Sequence, residues 1–215
     1  MRIDGAIFDL DGTLLDSMFI WDTIGEEYLR SRGMEPREDL KETFKNMSIQ
    51  QAARYYQTEY GLAGSEAEII GGINRMIARY YVEEVQPKQG AARFLYDLKR
   101  RGVAMCVATA TDRYLVEAAL KRTGLDVYFQ KIFTCTEIGH GKDEPDIFDS
   151  ALALLGTKKE NTWVFEDALY AIRTAKAAGF PVAAVFDRFE RNPVAVRQTA
   201  DLYLERYGEM RDYFD

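Results

Sequence analysis

The chain has 215 residues, of which 47% are hydrophobic and 29% charged, with a formal net charge of −7. That is an ordinary globular balance, with length for one sizeable core or a core plus a small insertion. No block of basic residues appears, so no nucleic-acid surface is expected. No apolar run approaches the roughly 18 residues of a membrane span, so no membrane partner is expected either. The first strand begins at Arg2 or Ile3, which leaves no room for a signal peptide. Cys106 lies in an apolar run and Cys135 just after another, with no Cys-x-x-Cys spacing. Both read as reduced thiols of a cytoplasmic protein.

Ile3, Ala6, Ile7 and Phe8 form a short apolar run, the first predicted strand. A second strand is expected within about 30 residues, the usual size of a βαβ unit. The next long apolar run comes only at Val103–Ala108. The stretch between is helical in its spacing: Ile49, Ala52, Ala53 and Tyr56 make one stripe, and Ile69, Ile73, Ile77 and Tyr80 another. Gly33, Gly61, Gly64 and Gln86-Pro87 punctuate it. Residues 16–86 are therefore expected to form a small helical domain inserted into a core built from residues 1–15 and 87–215.

Beyond residue 87 helices and strands alternate. Ala91, Phe94, Leu95 and Leu98 predict a helix that Gly102 ends. Val103–Ala108 reads as a strand buried on both faces, and Lys131–Thr134 as a shorter one. Phe148, Ala151, Leu152 and Leu155 repeat the helical spacing up to Gly156, before a strand at Thr162–Phe165. Ile172 and Ala175 mark a helix ending at Gly179, before a strand at Val182–Phe186. The alternation predicts an α/β fold, a Rossmann-like parallel sheet with right-handed crossovers.

Asp9 and Asp11 stand at the C-terminal end of the first strand, where open α/β sheets bind their ligands. Like charges so close raise each other's pKa, so the pair asks for a cation. Parallel strands bring Thr109, Lys142, Glu166 and Asp167 to the same edge. Each has a plain structural reading alone. Asp11-Gly12 suits a hairpin turn, Thr109 a strand, Lys142 a solvated loop, and Asp167 a helix N-cap. Together they supply a nucleophile, a hydroxyl, an ammonium and an acid pair fit for a metal. His140, the only histidine, reads as a solvated loop residue. Trp21, Met18 and Met47 either line a substrate pocket or pack the helical domain, and the tyrosines at 55, 56, 60, 80 and 81 read as packing.

Asp9-Leu10-Asp11-Gly12-Thr13, Thr109, Gly141-Lys142 with Pro145-Asp146, and Glu166-Asp167 resemble, in order, the motifs of the haloacid dehalogenase superfamily. The helical insertion and Asp16-Ser17 resemble its helical-cap subgroup, which holds small-metabolite phosphatases and β-phosphoglucomutase. The resemblance implies a Mg2+-dependent phosphatase of small phosphorylated metabolites. Asp9 is the implied nucleophile, Asp11 the acid and base, and Thr109 and Lys142 the phosphoryl contacts. The implied metal contacts are Asp9, Asp11 through its backbone carbonyl, Glu166 and Asp167. Trp21, Lys45, Asn46 and Ala110 are the expected substrate contacts. Trp21 stands where many relatives, the mutase included, carry histidine, and Ile49 where the mutase has arginine. Losing that arginine removes a bidentate grip on a second phosphate. Both departures favour a phosphatase over the alternative sugar phosphomutase. A non-catalytic binding protein on the same fold is the remaining alternative, although such a protein has no need of both aspartates.

Overall fold

The computed structural model describes residues 1–44, 47, 49–208 and 213–214. Its elements fall into two compact units, one of Met1–Ser17 with Val85–Asp215 and one of Met18–Glu84. The first unit begins with strands β1 (Gly5–Phe8) and β2 (Leu15–Asp16). The second contains helices α1 (Phe19–Ser31), α2 (Leu40–Phe44), α3 (Ile49–Tyr60) and α4 (Glu66–Arg79), closed by a π turn at Tyr80–Glu84. The first unit then resumes with β3 (Gln86–Pro87), α5 (Ala91–Arg100), β4 (Ala104–Thr109) and α6 (Arg113–Thr123). It continues with β5 (Ile132–Thr134), α7 (Cys135–Ile138), α8 (Asp146–Leu155) and β6 (Thr162–Glu166). It finishes with α9 (Leu169–Ala177), β7 (Val182–Val185), α10 (Pro193–Thr199) and β8 (Leu202–Leu204).

Among the described residues, six strands form one sheet in the order β5-β4-β1-β6-β7-β8, and every pairing is parallel. The chain works outward from β1 in one direction and then in the other. β1 therefore lies at the topological switch point, whose carboxyl edge is the usual crevice for ligands in such sheets. Its four residues, Gly-Ala-Ile-Phe, are all buried because helices cover both faces. On one face Phe8 stacks on Phe165 with ring centroids 4.4 Å apart, and Phe94 meets Phe8 edge-on at 6.3 Å. On the other, Ile7, Cys106, Val164 and Ala184 pack with Ile147, Phe148, Ile172 and Phe180 from α8, α9 and the turn after α9. Each fully buried Ile, Val or Phe among these contributes about 1.5–3 kcal/mol of burial free energy.

The predicted strands and helices of this unit are present, with strand ends displaced by at most three residues. Among the described residues, four elements were not anticipated: α6, α7, α10 and the edge strand β8. Nor was the two-stranded antiparallel ribbon that pairs Leu15 with Pro87 and Asp16 with Gln86. Because of that ribbon, the division between units falls at 17/18 and 84/85 rather than at the predicted 15/16 and 86/87.

In the helical unit the apolar stripes face one another. Ile20, Ile24, Tyr28 and Leu29 of α1, Ala52, Ala53 and Tyr56 of α3, and Ile69, Ile73 and Ile77 of α4 are all buried. The Tyr56 hydroxyl donates to the Gly25 carbonyl at 2.7 Å. Gly72 lets the Tyr28 ring lie against α4, since a Cβ there would stand 2.7 Å from the ring. A capping box opens α4: Ser65 accepts from the Glu68 N–H, and Glu68 accepts from the Ser65 N–H at 2.7 Å. Among the described residues no helix is long and apolar enough to cross a membrane.

Candidate active site

The β1 ladder runs one residue past the strand, where the Asp9 N–H donates to the Phe165 carbonyl at 2.9 Å. The chain then coils tightly. The Leu14 and Leu15 N–H groups both donate to the Leu10 carbonyl, at 2.9 and 2.8 Å, and the Gly12 N–H to the Leu15 carbonyl at 3.0 Å. Gly12 sits at φ 83°, a conformation that side chains other than glycine rarely adopt. Asp11-Gly12 is thus part of a local coil and not the tip of a hairpin, since Leu15–Asp16 pairs with Gln86–Pro87.

Asp9, Glu166 and Asp167 are all buried, and one carboxylate oxygen from each lies within 4.8 Å of the others. Asp9 follows β1, while on the neighbouring strand Glu166 closes β6 and Asp167 comes next in the chain. Lys142, only 2% exposed, enters from the loop before α8. Its Nζ bonds the Asp9 carboxylate and lies 3.3 Å from Glu166 Oε1. Thr13 Oγ1 donates to Asp167 Oδ1 at 2.9 Å, and Glu166 Oε2 accepts the Asp167 N–H at 3.2 Å.

Burial first, and then the Asp9 charge, push the Glu166 and Asp167 carboxyls well above the ordinary carboxylate range. Burial alone would lower the Lys142 ammonium, but Asp9 and Glu166 outweigh it and hold the group above its usual value. Three buried carboxylates against one ammonium leave excess negative charge in a desolvated place. A divalent cation would relieve that excess, and an all-oxygen donor set suits a hard ion.

The Asp11 carboxylate has other partners. It is not one of the three clustered acids. Oδ1 accepts from Ser17 Oγ and Oδ2 from Thr111 Oγ1, both at 2.6 Å. Thr109, 1% exposed, ends β4, and its Oγ1 accepts the Thr111 N–H at 3.1 Å. Ala110 is exposed in the same loop. Trp21 lies on α1 of the helical unit with 51% of its surface exposed. Lys45 and Asn46 fall outside the described residues. His140 is a surface residue, its Nδ1 3.4 Å from Asp146. Cys106 and Cys135 are both free thiols.

Several side chains behind this cluster have no signature in the sequence. The buried Tyr207 hydroxyl donates to the Thr13 carbonyl at 3.0 Å. Lys88 and Asp187 form an ion pair at 2.8 Å with side chains 14% and 2% exposed. The Lys88 N–H also donates to the Leu14 carbonyl at 2.8 Å, which ties the ribbon to the coil after β1. Glu190, not Asp167, caps α9, since its Oε2 accepts the Leu169 N–H at 3.2 Å. These partners are far apart along the chain, and no local spacing signals them. Thr111 was not singled out, and its one local signal is a hydroxyl two residues beyond Thr109.

Comparison with known proteins identifies relatives of this chain. The family model for haloacid dehalogenase-like hydrolases matches residues 6–185. Hexitol phosphatase A of Escherichia coli (strain K12) is 30% identical over 189 residues, covering 86% of this chain and 84% of its own. The phosphorylated carbohydrates phosphatase of Thermotoga maritima is 23% identical over 177 residues, covering 82% of each. A crystal structure from Thermotoga maritima, provisionally assigned as a beta-phosphoglucomutase, superposes with a TM-score of 0.86. It is 21% identical and covers 98% of this chain and 97% of its own, a likeness of fold. With the parallel sheet, the strand-end acids and the buried lysine in place, the match over residues 6–185 makes this chain a member of the haloacid dehalogenase-like hydrolase family.

Proposed function

We propose that the protein is a magnesium-dependent phosphatase of small phosphorylated metabolites that works through an aspartyl-phosphate on Asp9. The observation that carries this is the division of labour among the acids. Asp9 stands with Lys142, Glu166 and Asp167, whereas Asp11 is held apart by two hydroxyls. The relatives' activities on hexitol phosphates and phosphorylated carbohydrates support a sugar or polyol phosphate as the substrate class.

The Asp9 carboxylate, the Asp11 backbone carbonyl, Asp167 and the adjacent Glu166 are the residues assigned to hold the cation. Bound there, the ion offsets the repulsion between an anionic phosphoryl group and the anionic nucleophile. Asp9 attacks phosphorus with a carboxylate oxygen, and the bond to the leaving oxygen breaks. Lys142 adds positive charge beside both the nucleophile and the transferring group, in a dry place where such charge acts strongly. Thr109 donates its hydroxyl to a phosphoryl oxygen. Asp11 gives a proton to the leaving oxygen, then takes one from the water that cleaves the acyl-phosphate. The helical unit, with Trp21, Lys45 and Asn46, is assigned to substrate selection, and Ala110 to the substrate contact on the core side.

The test is hydrolysis of a panel of phosphate monoesters with magnesium and with a chelator. Magnesium-dependent release of phosphate from sugar or polyol phosphates is expected. Well-folded protein with no turnover across the panel would instead favour a binding protein on this fold.

A further inference from the structure

Thr111 touches two residues of the proposed machinery at once. Its hydroxyl donates to Asp11 Oδ2 at 2.6 Å, and its backbone N–H donates to Thr109 Oγ1 at 3.1 Å. Ser17, fully buried, holds the opposite oxygen of Asp11 at 2.6 Å. Hydroxyls on both oxygens fix the rotation of the Asp11 carboxyl, a torsion that is otherwise broad. A threonine hydroxyl has one proton and two lone pairs. Because the Thr111 amide occupies a lone pair of Thr109, the Thr109 proton remains available to donate elsewhere.

We propose that Thr111 is a positioning residue: its hydroxyl sets the Asp11 carboxyl for proton delivery to the leaving oxygen, and its amide orients the Thr109 hydroxyl. The inference rests on Asp11 as the acid of the reaction proposed above. In that step an Asp9 oxygen forms a bond to phosphorus while the bond from phosphorus to the bridging oxygen breaks. The electron pair of the broken bond stays on the bridging oxygen, which takes the Asp11 proton. A nitrophenolate leaves without a proton, whereas an alkoxide does not. Misplacing Asp11 therefore penalises alkyl esters selectively.

The experiment compares kcat/KM for p-nitrophenyl phosphate and for an alkyl ester such as a hexitol phosphate. This ratio reports steps up to phosphoryl transfer and excludes the later hydrolysis of the intermediate. Thr111→Val should lower it about 30-fold for the alkyl ester and less than about threefold for the nitrophenyl ester, as expected for partial loss of general-acid catalysis. Thr111→Ser should restore both. Thr111→Ala serves the same purpose if valine disturbs the fold, as judged by circular dichroism. Equal losses on both substrates, or no loss on either, would overturn the assignment of Thr111. Asp11→Asn is the control and should show the same selectivity in stronger form. Equal losses in that variant would contradict Asp11 as the acid, and so the proposed reaction itself.

Discussion

Replacing Lys142 by methionine should expose how much of the site's energy depends on one buried charge. The ammonium is 2% exposed, bonded to Asp9 and 3.3 Å from Glu166. At an effective dielectric constant of about 20, an ion pair at that Glu166 distance is worth roughly 5 kcal/mol. Methionine fills a similar volume, so the packing loss is small. What remains is a set of buried carboxylates without their counter-charge, and breaking such a pair typically costs about 3–5 kcal/mol. In a chain of this size 1 kcal/mol shifts Tm by about 2–4 °C, so the variant should melt roughly 6–20 °C lower in chelator. The deficit should also depend on pH. With Lys142 gone, the Glu166 carboxyl loses the charge that holds it down and rises further above its unfolded value. Groups shifted in that direction support the fold below their unfolded pKa and lose that support as pH rises through the folded pKa. The variant should therefore lose more stability near about pH 8 than near about pH 5. Magnesium should recover part of the loss, and turnover should stay down by orders of magnitude. Thermal unfolding by circular dichroism, with and without chelator, measures all of this. An unchanged Tm in chelator at the higher pH would refute the reasoning.

The same sign argument applies to the unaltered protein. Glu166 and Asp167 are raised well above ordinary carboxyls when no cation neutralises them. Stability in chelator should fall as pH climbs from acid through neutral values, and saturating magnesium should flatten that dependence. Isothermal calorimetry should correspondingly find weaker magnesium binding in acid, where protons compete for the same oxygens. His140→Ala should change kcat/KM by well under tenfold, because the ring lies on the surface beside Asp146. Phe8→Ala should cost about 3–5 kcal/mol in denaturant unfolding, since Phe8 is fully buried and stacks on Phe165.

The core of the fold was legible because its signals are local. Val103–Ala108 is a continuous apolar run, and β4 is found one residue along, at Ala104–Thr109. The stripe of Ala91, Phe94, Leu95 and Leu98 is the buried face of α5. β8 was missed because it is a short edge strand whose Leu202 and Tyr203 are only half-buried, so its sequence carries little alternation. The ribbon was missed for a different reason: two-residue strands have no period to read, and its partners are separated by the whole helical unit. The clustered residues of the site were legible as strand-end residues in a parallel sheet. How Asp11 is held was not, since Ser17 and Thr111 reach it from different loops. Lys88, Asp187, Glu190 and Tyr207 likewise act through contacts that only the folded chain creates.

The central claim is that phosphoryl transfer passes through the carboxylate of Asp9. Protein quenched during turnover with magnesium and a substrate ester can be reduced with borohydride, which converts an acyl-phosphate to an alcohol. Mass spectrometry should then place that reduced side chain at position 9, and Asp9→Asn should abolish both the modification and turnover. A turning-over enzyme with no modification at position 9, or an Asp9→Asn variant that keeps more than a few per cent of the rate, would contradict the account.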